Sequence, residues 1–79
     1  MRNSIHTGSL YVKYIVNDLI SKGDIPEACA SNCEFMSHVT NIYNRILKDI
    51  NETYTDDDIK HSMIDDQFRY AVVSLSYQW

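Results

Sequence analysis

The chain has 79 residues, and this length restricts it to one small domain, residues 1–79. Seven basic and eleven acidic side chains give a net charge of −4, which argues against a strongly basic nucleic-acid-binding protein and leaves room for a modest one. A hydrophobic fraction of 44% with a single proline is typical of a globular fold and excludes a disordered chain. The two glycines exclude a glycine-rich phosphate-binding loop.

Several further classes of protein and of site lack support in the sequence. No apolar run approaches the roughly 20 residues of a membrane helix, and the N-terminus has no secretory signal, so we expect a cytoplasmic protein. Cys29, Cys33 and His38 lack the grouped ligands of a zinc site, and we expect no metal or cofactor. No nucleophile has an orienting base, so we expect neither an enzyme nor a small-molecule substrate.

The first predicted helix covers Ser9–Lys22, where apolar residues recur every three or four positions. Its apolar stripe consists of Val12, Ile15, Val16, Leu19 and Ile20. Gly23 follows the last of them, in the position where a helix commonly ends in a left-handed residue.

A short second helix is predicted directly after Gly23. Asp24 with Glu27 has the spacing of a capping box, and Pro26 falls in the first turn, where its missing N–H costs little. The pair Ser31–Asn32 favours a turn or a cap, so we expect this helix to end there.

Two longer helices are predicted after this turn. The third covers Cys33–Asn51, and Thr55 with Asp58 is predicted to cap a fourth, whose positive end holds the acidic run 56–58. The apolar stripe of the third helix consists of Phe35, Val39, Ile42, Tyr43, Ile46 and Ile50.

The end of the chain, residues 68–77, fits both a helix and a strand. A lone strand has no partner in an otherwise helical monomer, so we predict a helix, although strand pairing across a dimer would reverse that choice. The predicted fold is all-α with four to five helices.

The helices between 9 and 51 have the outline of a helix-turn-helix, with the candidate pair at 24–51. Small residues at Ala28, Cys29 and Ala30 would let the short helix cross the longer one closely. The alternative is two adjacent helices of a small bundle. The acidic and aromatic segment 52–79 forms the rest of the domain and is the candidate oligomer interface.

Residues between Ile5 and Asp49 resemble the PapB/FocB-type adhesin-biosynthesis transcription regulators of enterobacteria. The residues that carry the resemblance are Ser4-Ile5-His6, Gly23 at the end of a helix, Glu27, Cys29, Val39, Tyr43 and Arg45-Ile46. The resemblance implies a small helical protein that oligomerises and binds DNA near fimbrial promoters. It links Cys29 to DNA binding, while the basic residue that the family has four positions earlier is replaced here by Ile25.

If the third helix binds double-stranded DNA, such as AT-rich promoter DNA, the residues outside its apolar stripe must make the contacts. Arginine and lysine would contact phosphates and asparagine would pair with adenine edges. The predicted DNA-binding residues are Ser37, His38, Asn41, Asn44, Arg45 and Lys48. The alternative is a solvated helix face.

Aromatic residues are concentrated at the end of the chain, and a small domain cannot cover all of them. We therefore expect a homo-oligomer, with packing over the helical core as the alternative. The predicted interface residues are Phe68, Tyr70, Val73, Tyr77 and Trp79.

Two functions follow from these observations. The first is a small oligomeric DNA-binding regulator of a fimbrial or adhesin operon. The alternative is an acidic protein-interaction module that binds another regulator or a defence protein. The net charge beside the third helix distinguishes the two, since DNA is an anion.

Overall fold

The computed structural model describes residues 3–79, with side chains from Leu10 onward, and contains three α-helices and one 3-10 helix. The helices are α1 (Asn3–Ser21), the 3-10 helix (Glu27–Ser31), α2 (Cys33–Thr53) and α3 (Asp57–Ser76). Residues 3–79 contain no strand, so the all-helical prediction is confirmed. The predicted number of four to five helices is too high, since the same residues form three α-helices.

Helix α1 packs its predicted apolar stripe into the core. Val12, Ile15, Val16 and Leu19 are all buried, and the helix begins at Asn3, six residues before the predicted start. Of the residues that carry the family resemblance, Ser4, Ile5 and His6 have side chains outside the described part of the chain.

The end of α1 is the predicted glycine cap. Gly23 has a φ of +79°, its N–H donates to the carbonyl of Ile20 at 3.0 Å, and the N–H of Asp24 donates to the carbonyl of Leu19 at 2.9 Å. These two bonds form a Schellman motif, which satisfies carbonyls at the helix end that would otherwise lack partners.

The predicted capping box at Asp24 is wrong. The helix that follows is a 3-10 helix whose N-cap is Pro26, with no side-chain hydrogen bond at the cap. The reason is Ile25, which would be the first helical residue after an Asp24 cap, because a residue before proline is disfavoured in helical conformation. Ile25 instead lies buried in the core, only 4% exposed.

Helix α2 begins at Cys33 as predicted and ends at Thr53, two residues beyond the predicted end. The Asn32 side chain caps it by accepting a hydrogen bond from the N–H of Phe35 at 3.0 Å. Phe35, Val39 and Ile50 are buried, which confirms the side of the helix that the apolar stripe indicated.

Helix α3 is capped by Asp56, one residue after the predicted Thr55. The Asp56 carboxylate accepts from the N–H groups of Asp58 and Ile59 at 2.9 and 3.1 Å. Aspartate is the stronger cap because its negative charge also interacts with the positive end of the helix. The helix continues to Ser76, so the helical interpretation of the chain end is confirmed.

The core lies between all four helices and is closed by aromatic rings. Tyr11 of α1 packs against Tyr43 of α2 and Phe68 of α3, with ring centroids 5.4 and 6.1 Å away, and Tyr43 lies 5.2 Å from Phe68. Each α-helix therefore contributes one ring to an aromatic cluster formed by Tyr11, Tyr43 and Phe68. The buried core residues are Val12, Ile15, Val16, Leu19, Ile25, Cys29, Phe35, Val39, Phe68 and Val72.

A polar network ties α1 to α3 beside these rings. The Arg69 guanidinium donates to both carboxylate oxygens of Asp65 at 3.1 Å and to Asp18 on α1 at 2.6 Å. The Tyr11 hydroxyl donates to Asp65 at 3.0 Å, and Lys22 lies 3.1 Å from Asp18. The Tyr11–Asp65 and Arg69–Asp18 hydrogen bonds join residues more than 50 positions apart in the chain.

The electrostatics of the network follow from these contacts. Hydrogen bonds from Arg69 and Lys22 lower the pKa of Asp18 below its ordinary value of 3.8. Burial, together with the hydrogen bond to Asp65, raises the pKa of Tyr11 well above its ordinary value. The fold therefore favours a charged Asp18 and a neutral Tyr11.

We expect Gly23→Ala to lower the free energy of unfolding by about 1 kcal/mol, because a Cβ is strained at positive φ. No other atom lies within 4 Å of the position that the Cβ would occupy, so backbone strain is the whole cost. Gly23→Asn is the control and should cost less, since asparagine adopts this conformation more readily. Urea unfolding of the two variants measures the difference, and equal losses would contradict the assignment.

We expect Arg69→Met to lower the free energy of unfolding by about 1–2 kcal/mol, because it removes the donor that Asp18 and Asp65 share and leaves each carboxylate with one partner fewer. The matched control is Lys60→Met, which removes a 3.9 Å pair with the well-exposed Asp57 and should change stability by less than about 0.5 kcal/mol.

The Arg69→Met effect should also depend on pH. Because the pKa of Asp18 is lower in the folded state, its stabilisation is present above about pH 4 and is lost as the pH falls through the folded pKa. Urea unfolding of the wild type and Arg69→Met at pH 7 and pH 2.5 measures this. The gap between them should narrow at the lower pH, and a constant gap would contradict the ionic contribution.

Candidate interaction surfaces

The six predicted DNA-binding residues lie together on the exposed side of α2. Ser37, Asn41, Asn44 and Lys48 recur every three or four positions, and all six side chains are exposed. The opposite side of the helix carries the buried Phe35 and Val39. We call this surface the α2 polar face, made of Glu34, Ser37, His38, Asn41, Asn44, Arg45, Lys48, Asp49 and Glu52.

Three of these residues are acidic and were not considered in the DNA-binding prediction. Glu34, Asn41, Lys48 and Glu52 are separated by seven, seven and four positions, so the acids share the stripe of the predicted contacts. Counted over aspartate, glutamate, lysine and arginine, three acids and two cations give the α2 polar face a formal net charge of −1. The spacing of the acids in the sequence was the signal that could have identified them.

The chain end covers one edge of this face. The Trp79 ring lies 5.2 Å from the ring of His38 and 5.8 Å from that of Phe35, so His38 is in contact with the last residue of the chain. Trp79 is therefore only 46% exposed and is partly committed to packing within the chain.

The predicted interface residues fall into two groups. Phe68 is 0% exposed, so the prediction that it lies on an interface is wrong, because it faces inward from α3 into the aromatic cluster. Tyr70 and Tyr77 are 77% and 81% exposed, and Val73 is partly buried against the core. Deleting residues 73–79 would remove core packing together with the surface and would not test an interface alone.

Cys29, which the resemblance links to DNA binding, belongs to the core. Its side chain is 7% exposed, and Ile25, at the position of the family's basic residue, is 4% exposed. Cys33 is exposed at the start of α2. A contact between Cys29 and DNA would therefore require the core to open.

A shallow cavity of about 290 Å³ lies between α1, the 3-10 helix and α2. Lys13 and Asn17 line it from α1, Ala30 from the 3-10 helix and Met36 from α2. Its lining is mainly apolar, and Lys13 is its one charged side chain among the described residues.

Two features are absent from the described part of the chain. No helix in it is long and apolar enough to cross a membrane. It also contains no group of three histidine, cysteine, aspartate or glutamate side chains positioned to hold a metal ion.

Comparison with known proteins identifies no relative: no family model, curated protein or solved structure matches the chain. The resemblance to the adhesin-biosynthesis regulators stays a prediction based on the residues that carry it.

Proposed function

We propose that the protein is an acidic protein-interaction module that binds a basic surface on another protein, such as another regulator or a defence protein. The observation that carries this proposal is the net charge of −1 on the α2 polar face. The charge beside this helix is the feature that separates the two candidate functions. Its negative sign favours a basic protein partner over DNA.

The distribution of ion pairs supports this choice. Among the described residues, Lys22, Lys60 and Arg69 are paired with acids of the same chain, which leaves Lys13, Arg45 and Lys48 outside any ion pair. Eight of the eleven acidic side chains form no ion pair within the same residues. The surface thus presents far more free carboxylates than free cations.

This imbalance acts in opposite directions on the two kinds of partner. Free carboxylates repel DNA phosphates, and two cations on the α2 polar face release few counterions. A basic protein surface would be attracted to the same face, with faster association and a specific orientation.

The α2 polar face leads into a further acidic segment where α2 ends and α3 begins. Asp49 and Glu52 occupy the last turns of α2, and Asp56, Asp57 and Asp58 follow after a short connection. All five residues are exposed. We propose this end of the α2 polar face as the place where the basic partner binds.

The second candidate function is the DNA-binding regulator of an adhesin operon. The observation in its favour is that all six predicted DNA-binding residues lie on one exposed side of a 21-residue helix. Several copies along a repeated site would be needed to supply enough cations.

We expect Asp49→Lys with Glu52→Lys to weaken binding of the protein partner by about tenfold or more, because two attractions become repulsions. A photo-crosslinking residue in place of the exposed Asn44 would first identify the partner. Titration of the purified partner then measures the loss. The control is Asp24→Lys with Glu27→Lys, which makes the same charge change at exposed sites outside the α2 polar face and should alter the affinity by less than about threefold. Equal losses in both variants would show a general charge effect and contradict a site on α2.

DNA binding is tested separately by fluorescence anisotropy with an AT-rich and a mixed-sequence duplex at several salt concentrations. For an interaction module we expect no binding by the wild type even at low salt. If binding occurs, the second candidate function predicts that Arg45→Ala with Lys48→Ala weakens binding equally on both duplexes. The salt slope should then fall by about two per monomer, and this outcome would replace the proposed function with the second candidate.

A further inference from the structure

Helix α3 has a second apolar stripe on its outer side, in which Met63 and Val73 are half-buried and the other members are exposed. Residues 59, 63, 66, 70, 73 and 77 are separated alternately by four and three positions, and the inward residues Ile64, Phe68 and Val72 lie between them. We call this stripe the α3 outer seam, made of Ile59, Met63, Asp66, Tyr70, Val73 and Tyr77. Within it Ile59, Tyr70 and Tyr77 are 47%, 77% and 81% exposed.

The spacing of the seam fits a helix as its partner. Alternation of four and three positions is the heptad pattern by which one helix packs along another. Ile59 and Tyr77 are about 27 Å apart along the axis, at 1.5 Å per residue, so the seam extends over the whole length of α3. Tyr77 continues the helical conformation at the cap, with φ −69° and ψ −21°.

We propose that the α3 outer seam is a homodimer interface in which α3 of a second copy packs antiparallel to the first. The seam is complementary to itself when its direction is reversed about its midpoint. Ile59 then lies opposite Tyr77 of the second copy, Met63 opposite Val73, and Asp66 opposite Tyr70, each pair occurring twice by the twofold symmetry.

Asp66 selects the second copy and its direction. In a parallel pair Asp66 would face Asp66 across the seam, and two like charges at short distance destabilise the pair. In the antiparallel pair each Asp66 carboxylate lies opposite a Tyr70 hydroxyl, which can donate a hydrogen bond to it. An unrelated apolar helix would leave Asp66 without a partner in the middle of the contact.

The positions that flank the seam also favour self-association. They are Lys60, Ser62, Gln67, Arg69, Ser74 and Ser76. None of these flanking residues is acidic, although residues 51–79 carry six of the eleven acids of the chain. Two copies therefore approach along α3 without repulsion between flanking carboxylates.

Sedimentation velocity of the full chain from about 1 to 500 μM tests the proposal, and we expect a monomer–dimer equilibrium in this range. Tyr70→Glu should raise the dimer dissociation constant at least about tenfold, because each new carboxylate faces Asp66 of the second copy. Adding Asp66→Lys to Tyr70→Glu should restore dimerisation to within about threefold, because the charges opposite each other are again unlike.

Tyr14→Glu is the matched control, since Tyr14 is an exposed tyrosine of α1, 61% exposed and outside the seam. It should leave the dissociation constant unchanged. We expect every variant to remain folded, because Tyr70 is exposed, and circular dichroism checks this. A wild type that stays monomeric at 500 μM would overturn the proposal. So would a Tyr70→Glu variant that dimerises like the wild type, or a double variant that does not recover.

Disulfide trapping tests the direction of the helices. Ile59→Cys and Tyr77→Cys are made separately in a chain that also carries Cys33→Ser, while the native Cys29 is buried. The mixture of the two proteins should form a mixed disulfide, and neither protein alone should form one through the new cysteine. Efficient dimers from each protein alone would show a parallel pair and overturn the antiparallel arrangement.

Discussion

The Arg69 guanidinium, held between Asp18 of α1 and Asp65 of α3, fixes how these two helices lie against each other. Apolar contacts between helices are not directional and tolerate sliding, whereas a guanidinium that bonds two carboxylates accepts only one register. Tyr11 adds to this constraint, because its hydroxyl donates to Asp65 while its ring packs against Tyr43 and Phe68. One polar network and one aromatic cluster thus share a residue and define the arrangement of all three α-helices.

The elements that the sequence predicted best are those with a single apolar stripe. Val12, Ile15 and Phe35 lie on helices whose apolar residues recur on one side only, so both the type of element and its buried side followed from periodicity. The Arg69 network was beyond such reasoning, because its partners lie 51 and 54 positions apart along the chain. The capping box at Asp24 failed for a local reason, because the effect of Pro26 on Ile25 outweighed the favourable spacing.

Helix α3 was the hardest to predict because it has apolar residues on two sides. Its inner stripe includes Phe68 and Val72, and its outer seam includes Tyr70 and Val73, so consecutive residues are apolar and mimic a strand. The same overlap explains why Phe68 was placed on an interface, since composition does not distinguish the inner from the outer stripe. The separation between them appears only once the core shows which side of the helix is occupied.

The distribution of acidic residues distinguishes two surfaces that suit different partners. The positions beside the α3 outer seam contain no acids, so that surface suits contact between identical chains, whereas the α2 polar face keeps three acids against two cations. Self-association adds the cations and the carboxylates of the α2 polar face in the same ratio, so the net charge of each face stays at −1. A dimer would carry twice the net charge of −4 of the chain and present two α2 polar faces. The proposed dimer would therefore hold the proposed basic partner more firmly than one chain could, if that partner carries two matching sites.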